Sequence, residues 1–140
     1  MKVSDGMNYA PKGKAQPVVK PGEFIFSAAH LDHGHIYGIT NGLLEAGGTL
    51  KYVYEPDPKK GEAYPQVKVA RSEEELLNDK ETNMVCGAAI TNERCALGLR
   101  AMQAGKDYFT DKAPFTTLEQ LDSAKKMVAQ TGKKYMVYYG

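Results

Sequence analysis

The chain lacks tryptophan, has only two cysteines among its 140 residues, and is nearly balanced in charge, with a formal net charge of +1. Because it has no broad positive field, binding to nucleic acid or to an anionic membrane surface is not expected. Two cysteines are too few for a secreted disulfide scaffold. The longest apolar runs have the length of strands and are too short to cross a bilayer. With no apolar secretory segment at the N-terminus, we expect a cytoplasmic protein.

The first 22 residues differ in composition from the rest of the chain. Pro11, Pro17 and Pro21 lie there among several glycines and lysines. Such a mixture buries little apolar surface, so an extended or disordered arm is predicted over residues 1–22. The remainder, 23–140, has a length that suits one folded domain.

From Phe24 onward, apolar runs of strand length alternate with stretches of helical period, which is typical of successive βαβ units. Three longer helices are expected at about 35–46, at about 93–104 and from Thr117 to just before Gly132, whereas 59–65 has room for one turn only. The predicted strands are Phe24–Ala29, Leu50–Glu55, Val67–Ala70, Met84–Ile90, Asp107–Thr110 and Tyr135–Tyr139. Right-handed crossovers then predict a Rossmann-type α/β fold, a doubly wound, mainly parallel six-stranded sheet in the order 3-2-1-4-5-6.

Helix-capping signals and the positions of the two cysteines agree with this predicted fold. Ser72 with Glu75, and Thr117 with Gln120, have the spacing of capping boxes at helix starts. Cys86 falls in the fourth strand, which is apolar throughout, and Cys95 falls on the helix after it. Both cysteines are expected to be small core thiols.

In a sheet of this order a ligand binds in the crevice beyond the carboxyl ends of strands one and four. Four loops are predicted to meet there: 30–34, 55–58, 90–94 and 111–116. The first contains Gly34, which would allow backbone N–H groups and a helix start to approach a diphosphate. The full glycine fingerprint is absent, because His30 and Asp32 stand where its first two glycines would fall.

Glu55 ends the second strand, about twenty residues after this turn, where an acid accepts hydrogen bonds from the adenosine ribose. A carboxylate there repels a 2′-phosphate, so NAD is favoured over NADP. Glu55 or Asp57 can also serve only to open the turn that follows the strand.

The residues of the third loop, 90–94, and of the fourth loop, 111–116, can each be interpreted in two ways. Asn92 is predicted to cap the helix after strand four and also to line the crevice. Asp111 and Lys112 can hold a substrate hydroxyl or the nicotinamide amide. They can equally form an ordinary surface ion pair, worth under about 1 kcal/mol.

These motifs, in this order and spacing, resemble the N-terminal domain of the glucose-fructose oxidoreductase and inositol dehydrogenase-like (Gfo/Idh/MocA) family over nearly all of 24–140. The similar segments are His-Gly-His-Ile-Tyr-Gly at 33–38, Tyr-Glu-Pro-Asp-Pro at 54–58, Thr-Asn at 91–92, Ala-Gly-Lys at 104–106, Asp-Lys at 111–112, Thr-Thr-Leu-Glu at 116–119 and Thr-Gly-Lys-Lys-Tyr-Met-Val at 131–137.

The resemblance implies hydride transfer between a nicotinamide cofactor and a sugar, cyclitol or related polyol. The family's Glu-Lys-Pro motif maps onto Asp111-Lys112-Ala113, which gives Lys112 the role of the catalytic lysine near the nicotinamide and the substrate. The residues predicted to contact the cofactor lie in or beside the four loops: His30, Leu31, Asp32, His33, Gly34, Glu55, Ala89, Thr91, Asn92, Asp111 and Lys112.

In that family a second α/β domain follows strand six and holds the substrate. We therefore expect these residues alone to bind cofactor without turnover, and the tyrosines at 138–139 to favour self-association. One alternative is a non-catalytic nucleotide-binding module. Another is a metal hydrolase built on His30, Asp32, His33 and His35, but four ligands within six residues of one turn do not easily form a tetrahedron, so no metal site is expected.

Overall fold

The computed structural model describes residues 16–62 and 64–139. Six parallel strands form one sheet in the order β3-β2-β1-β4-β5-β6, so the predicted Rossmann-type α/β fold and its strand order are confirmed. The strands are β1 (Ile25–Ala29), β2 (Thr49–Tyr54), β3 (Lys68–Val69), β4 (Met84–Gly87), β5 (Asp107–Asp111) and β6 (Tyr135–Tyr138). The helices are α1 (His35–Glu45), α2 (Pro58–Gly61), α3 (Glu73–Leu77), α4 (Arg94–Gln103) and α5 (Leu118–Thr131), with a 3-10 turn at Thr91–Glu93.

Residues 1–15 of the predicted N-terminal arm lie outside the described residues. The described part of the arm runs beside the turn between α1 and β2, where the Val18 N–H donates to the Ala46 carbonyl at 2.8 Å. Val18 itself is 80% exposed, so this part of the arm adds little to the core.

Alternate side chains of β1 enter two hydrophobic layers, one on each face of the sheet. Phe26 and Ala28 pack in a cluster that contains Ile36 of α1. Ala29 belongs to the cluster on the other face, with Leu97 of α4. This alternation follows from the two-residue period of a strand, and burial on both faces explains why β4 is apolar throughout and β1 is apolar except at Ser27.

Side-chain caps fix the starts of two helices where the sequence predicts them. The Ser72 hydroxyl accepts a hydrogen bond from the Glu75 N–H at 3.1 Å, and the Thr117 hydroxyl accepts one from the Gln120 N–H at 3.1 Å. At its other end α5 stops at Gly132, whose φ of 68° is left-handed and favours glycine.

Strand four is shorter than the predicted Met84–Ile90, because β4 ends at Gly87. The Ala88 N–H donates to the His30 carbonyl at 3.0 Å, and the Ala88 carbonyl accepts from the His33 N–H at 3.1 Å. The apolar run therefore leaves the sheet after Gly87 and is bonded through Ala88 to the loop after β1, with Ala88 and Ala89 buried and Ile90 58% exposed.

The prediction that Asn92 caps the helix after strand four is wrong. The residue that precedes α4 is Glu93, which makes no side-chain cap hydrogen bond. The 3-10 turn comes first, with the Glu93 N–H donating to the Ile90 carbonyl at 2.8 Å. The Asn92 carbonyl instead accepts from Nε2 of Gln120 at 3.3 Å, which joins this turn to α5.

Helix α4 packs closely on the sheet at Gly98. A Cβ atom added there would lie 2.5 Å from Cδ1 of Tyr108 and 2.8 Å from Cε2 of Tyr135. Because the Tyr108 ring is fully buried, we expect Gly98→Ala to lower the free energy of unfolding by about 1–3 kcal/mol through overpacking.

Gly42 offers the matched control, since it also lies on a helix but a Cβ there meets nothing within 4 Å. Alanine favours the helix over glycine by about 1 kcal/mol, so Gly42→Ala should raise stability. Urea denaturation of both variants checks the pair. If both substitutions changed the free energy of unfolding by the same amount, the close contact of α4 with the sheet would not be what excludes a side chain at position 98.

Candidate functional site

The loop after β1 is held between the loops that follow β2 and β4. The His30 N–H donates to the Tyr54 carbonyl at 2.9 Å, and its own carbonyl accepts from Ala88. His30 has a φ of 61°, in the left-handed region that favours glycine. A histidine therefore adopts the strained backbone at the position where the fingerprint's first glycine would stand.

Glu55 joins the turn after β1 to the end of β2. One carboxylate oxygen, Oε2, accepts from the Leu31 N–H at 2.5 Å. The other, Oε1, accepts from the Asp57 N–H at 3.0 Å. The sequence-predicted acid and the sequence-predicted turn thus lie in direct contact over adjacent strands. Glu55 also orders its own turn, so the structural role considered for it operates as well.

Asp32 has its negative charge balanced within the protein. Its Oδ1 lies 2.9 Å from Nζ of Lys60, and this hydrogen bond raises the pKa of the Lys60 ammonium. The carboxylate that replaces the second fingerprint glycine is therefore paired with the segment after β2. This pairing reduces its repulsion of an anion in the crevice.

Gly34 precedes α1 with an ordinary φ of −60°, and a Cβ there would meet no atom within 4 Å. The glycine is thus not required by its backbone angles, and the space beside it is open. The first turn of α1 contains no acidic residue. Since the N-terminal end of a helix carries partial positive charge, this end is favourable for an anion.

The loop after β4 supplies the other predicted contact residues. Ala89 is buried, whereas Thr91 and Asn92 are exposed. Beside this loop lies a cavity of about 290 Å³. The residues lining it come from the loop after β1, the loop and 3-10 turn after β4, and α4: His30, Ala89, Glu93, Ala96, Leu97 and Arg100.

Arg94 connects the loops after β4 and β5 from inside the protein, where its side chain is only 4% exposed. Its Nε donates to the Ala89 carbonyl at 2.7 Å, and its Nη1 donates to the carbonyls of Lys112 at 2.5 Å and Ala113 at 3.2 Å. Nη2 lies 3.6 Å from Oδ2 of Asp111. A single guanidinium therefore fixes the backbone around Lys112.

The reading of Asp111 and Lys112 as a surface ion pair does not match the structure. Asp111 is 1% exposed and forms its ion pair with Arg94, whereas Lys112 is exposed. Two histidines, one in the loop after β1 and one at the start of α1, also contact this carboxylate. Nδ1 of His33 lies 3.2 Å from its Oδ2, and Nδ1 of His35 lies 3.0 Å from its Oδ1.

His30 points to a different partner from the other two histidines. Its Nε2 lies 2.7 Å from Oε2 of Glu73, whose other oxygen accepts from Nε of Arg100 at 2.5 Å. Partial burial by itself would raise the pKa of Glu73, but the hydrogen bonds from Arg100 and His30 outweigh it and the net pKa is lowered. The four residues of the metal-hydrolase alternative are thus divided among three partners, Glu73, Lys60 and Asp111.

The cysteines are buried, as the sequence predicts. Burial raises the pKa of the Cys86 thiol to about 12, which keeps it protonated and unreactive at neutral pH.

Sequence reasoning missed Arg94 as a residue that organises the site. One signal was available, because Arg94 is the first residue of α4 and a positive side chain is unfavourable at the positive end of a helix. A cation at such a position indicates a specific contact. The contact of His35 with Asp111 gave no local signal, since 76 positions separate the two residues.

Among the residues that the structure describes, no helix has both the length and the hydrophobicity needed to cross a membrane.

A parallel sheet whose switch-point crevice is lined by a strand-to-helix turn, with an acid at the end of the next strand, defines a dinucleotide-binding α/β protein. Residues 29–139 match the model of the Gfo/Idh/MocA oxidoreductase family, which describes an NAD-binding Rossmann fold. The chain belongs to this family, which confirms the resemblance found in its motifs.

Solved structures with the same fold include a predicted oxidoreductase from Erwinia carotovora atroseptica, which is 41% identical with a TM-score of 0.81 over 84% of this chain. A predicted myo-inositol dehydrogenase from Sinorhizobium meliloti is 22% identical with a TM-score of 0.71 over 82% of this chain. A biliverdin reductase from Synechocystis, solved with biliverdin and NADP+, is 18% identical with a TM-score of 0.71 over 82% of this chain.

The chain corresponds to only part of each of these proteins. It spans 37% of the Erwinia chain, 36% of the Sinorhizobium chain and 37% of the Synechocystis chain. Comparison with curated protein sequences gives no match.

Proposed function

We propose that this chain binds NAD in the crevice beyond the carboxyl ends of β1 and β4, as the cofactor-binding part of an oxidoreductase. The contact between Glu55 and the Leu31 N–H, at 2.5 Å, is the observation that carries the proposal. It brings together the two elements that hold opposite parts of an adenosine diphosphate, the ribose acid and the diphosphate turn.

Glu55 keeps the capacity to bind a ribose although both of its oxygens are occupied. A carboxylate offers about four lone-pair sites, and the bonds from Leu31 and Asp57 use two of them. The remaining two can accept hydrogen bonds from the 2′- and 3′-hydroxyls of the adenosine ribose. A 2′-phosphate would bring negative charge against the same carboxylate, which supports a preference for NAD over NADP.

The diphosphate would lie against the turn between β1 and α1. The N–H groups of Leu31, His33 and His35 already donate within the protein. The donors proposed for the diphosphate are therefore the N–H groups of Asp32 and Gly34, for which the described part of the chain offers no partner. The open space beside Gly34 and the positive end of α1 support this placement.

The nicotinamide half would extend over β4 and β5 toward Lys112. Arg94 fixes the backbone of this residue while its side chain stays exposed, so the ammonium can reach a ligand in the crevice. Lys112 is proposed as the catalytic lysine, and Ala89, Thr91, Asn92 and Asp111 as the surrounding contact residues. The family's lysine motif supports this assignment.

The substrate proposed is a sugar, cyclitol or related polyol. Hydride transfer requires the reacting carbon to be held against the nicotinamide and a group that accepts the hydroxyl proton. We propose that the residues doing this lie outside the present chain, since it spans little more than a third of the oxidoreductases it resembles.

The binding proposal is tested by titrating the protein into NADH and, separately, into NADPH while following cofactor fluorescence. Saturable binding of one NADH per chain, with weaker binding of NADPH, is expected because Glu55 accepts ribose hydroxyls and repels a 2′-phosphate. Absence of saturable binding by either cofactor would count against the crevice as a dinucleotide site. A preference for NADPH would count against the role of Glu55.

A further inference from the structure

We infer that His33, His35 and Asp111 form a binding site for a divalent transition-metal ion of the zinc type. Each of the three residues offers one ligand atom, and these atoms lie within 4.8 Å of one another. His33 lies in the loop after β1, His35 is the first residue of α1, and Asp111 is the last residue of β5. This set differs from the four-residue turn considered from the sequence, because a buried carboxylate replaces His30 and Asp32.

Two of the distances between ligand atoms are close to those of a tetrahedral zinc site, and all of the ligand atoms lie within 4.8 Å of one another. With metal–nitrogen and metal–oxygen distances near 2.0–2.2 Å, neighbouring ligands of such a site lie about 3.3–3.5 Å apart. Nδ1 of His33 is 3.2 Å from Oδ2 of Asp111, and Nδ1 of His35 is 3.0 Å from Oδ1. The two nitrogens need to move only slightly away from the carboxylate oxygens to accommodate an ion.

The hydrogen bonds around Asp111 leave one of its oxygens unsatisfied. Oδ2 is buried and has no hydrogen-bond partner among the described residues. Its neighbour, Nδ1 of His33, already accepts the His35 N–H at 3.1 Å, which requires a lone pair on that nitrogen. The single lone pair of this nitrogen is taken by the His35 N–H, so the nitrogen donates no proton to Oδ2, which lies 3.2 Å away. A cation that binds both atoms would replace the His35 N–H at Nδ1 of His33 and satisfy Oδ2.

Arg94 is a positive group beside the site. Nη2 lies 3.6 Å from Oδ2 of Asp111, beyond hydrogen-bond distance, while Nε and Nη1 are used by backbone carbonyls. The guanidinium weakens the attraction of a cation to Asp111. It also holds the carboxylate loop in place, as the outer partners of metal ligands do.

Three protein ligands leave a fourth position open, which is the arrangement of catalytic rather than structural zinc sites. The side chains of His33 and His35 are 50% and 40% exposed, so this position faces the accessible crevice. The class of ligand expected there is water or an oxygen of a small molecule. A hydroxyl or carbonyl oxygen bound to the ion would be polarised by it.

Titration of Zn²⁺, and separately of Co²⁺, into the untagged chain after treatment with a chelator tests the site. The experiment contains no dinucleotide, so its outcome is independent of the proposed cofactor binding. We expect one ion per chain, with the visible absorption of a tetrahedral or five-coordinate Co²⁺ complex. His33→Gln and His35→Gln should each lower the affinity by at least about tenfold, since removal of even outer partners of metal ligands costs 10–100-fold.

His30→Asn is the matched control, because it changes the remaining histidine of the chain and asparagine tolerates the left-handed backbone there. Its metal affinity should equal that of the unaltered protein. Circular dichroism verifies that all three variants fold. Failure to bind either ion, or binding that persists in His33→Gln and His35→Gln, would overturn the site. The first result would mean that a proton on His33 satisfies Asp111 instead.

Discussion

Replacing Arg94 with alanine is expected to lower the free energy of unfolding by about 3–5 kcal/mol, the cost of removing one partner of a buried ion pair. The substitution leaves Asp111 buried without its arginine and removes three hydrogen bonds to backbone carbonyls. It also detaches the loop that carries Lys112. Urea denaturation measures the loss.

Arg100 provides a control on the same helix. It pairs with Glu73, but its side chain is 47% exposed, so Arg100→Ala should cost no more than about 1 kcal/mol. A loss from Arg94→Ala as small as that from Arg100→Ala would show that Arg94 does not hold the two loops together. Arg94→Lys should recover part of the stability, because lysine keeps the charge but not the branched set of donors.

Replacing Glu55 with alanine is expected to weaken NADH binding by at least about tenfold, because hydrogen bonds to a charged group are worth about 1.5–3 kcal/mol. NADPH binding should be weakened less, since the variant no longer places a negative charge against the 2′-phosphate. The preference for NADH over NADPH therefore decreases. Fluorescence titration with both cofactors gives the two affinities.

A substitution of Asp57 distinguishes the two roles of the acids after β2, which are forming the turn and binding the ribose. Its carboxylate accepts the Lys59 N–H and caps α2, so Asp57→Ala removes a turn-forming acid two residues from Glu55. We expect Asp57→Ala to leave the NADH affinity unchanged. If both variants bind NADH as the unaltered protein does, Glu55 only orders its turn and the ribose contact is refuted.

The fold was predictable because each helix and strand has a signal within its own short segment of sequence, and these signals recur along the chain. Apolar runs of strand length, the caps at Ser72 and Thr117 and the stop at Gly132 each indicate one element. The handedness of the crossovers then leaves few arrangements of the strands. The segment after β2 was correctly predicted to form a single turn, which is α2.

The errors arose where tertiary contacts override local pattern. The composition of the apolar run after Gly87 predicts a strand, but its backbone is bonded to the loop after β1. The residue type of Asn92 predicts a cap, whereas a 3-10 turn places Glu93 next to α4. Neither contact has a signature within the segment itself.

The candidate site was predictable as a set of loops but not as a set of contacts. The carboxyl ends of β1, β2, β4 and β5 define the place, and Glu55 could be assigned from its spacing to the turn. The positions of Arg94 and His35 against Asp111 depend on pairings across 17 and 76 positions of the chain. Such contacts cannot be predicted until the arrangement of the strands in the sheet is known.

The most direct test of the central claim is to follow the backbone amide resonances of the labelled protein while NAD⁺ is added. We predict saturable shifts at residues 30–34 and 55–57, with those of Leu31 and Gly34 among the largest, and unchanged resonances along α5. Saturable shifts confined to other parts of the protein, with the Leu31 amide unmoved, would contradict the account.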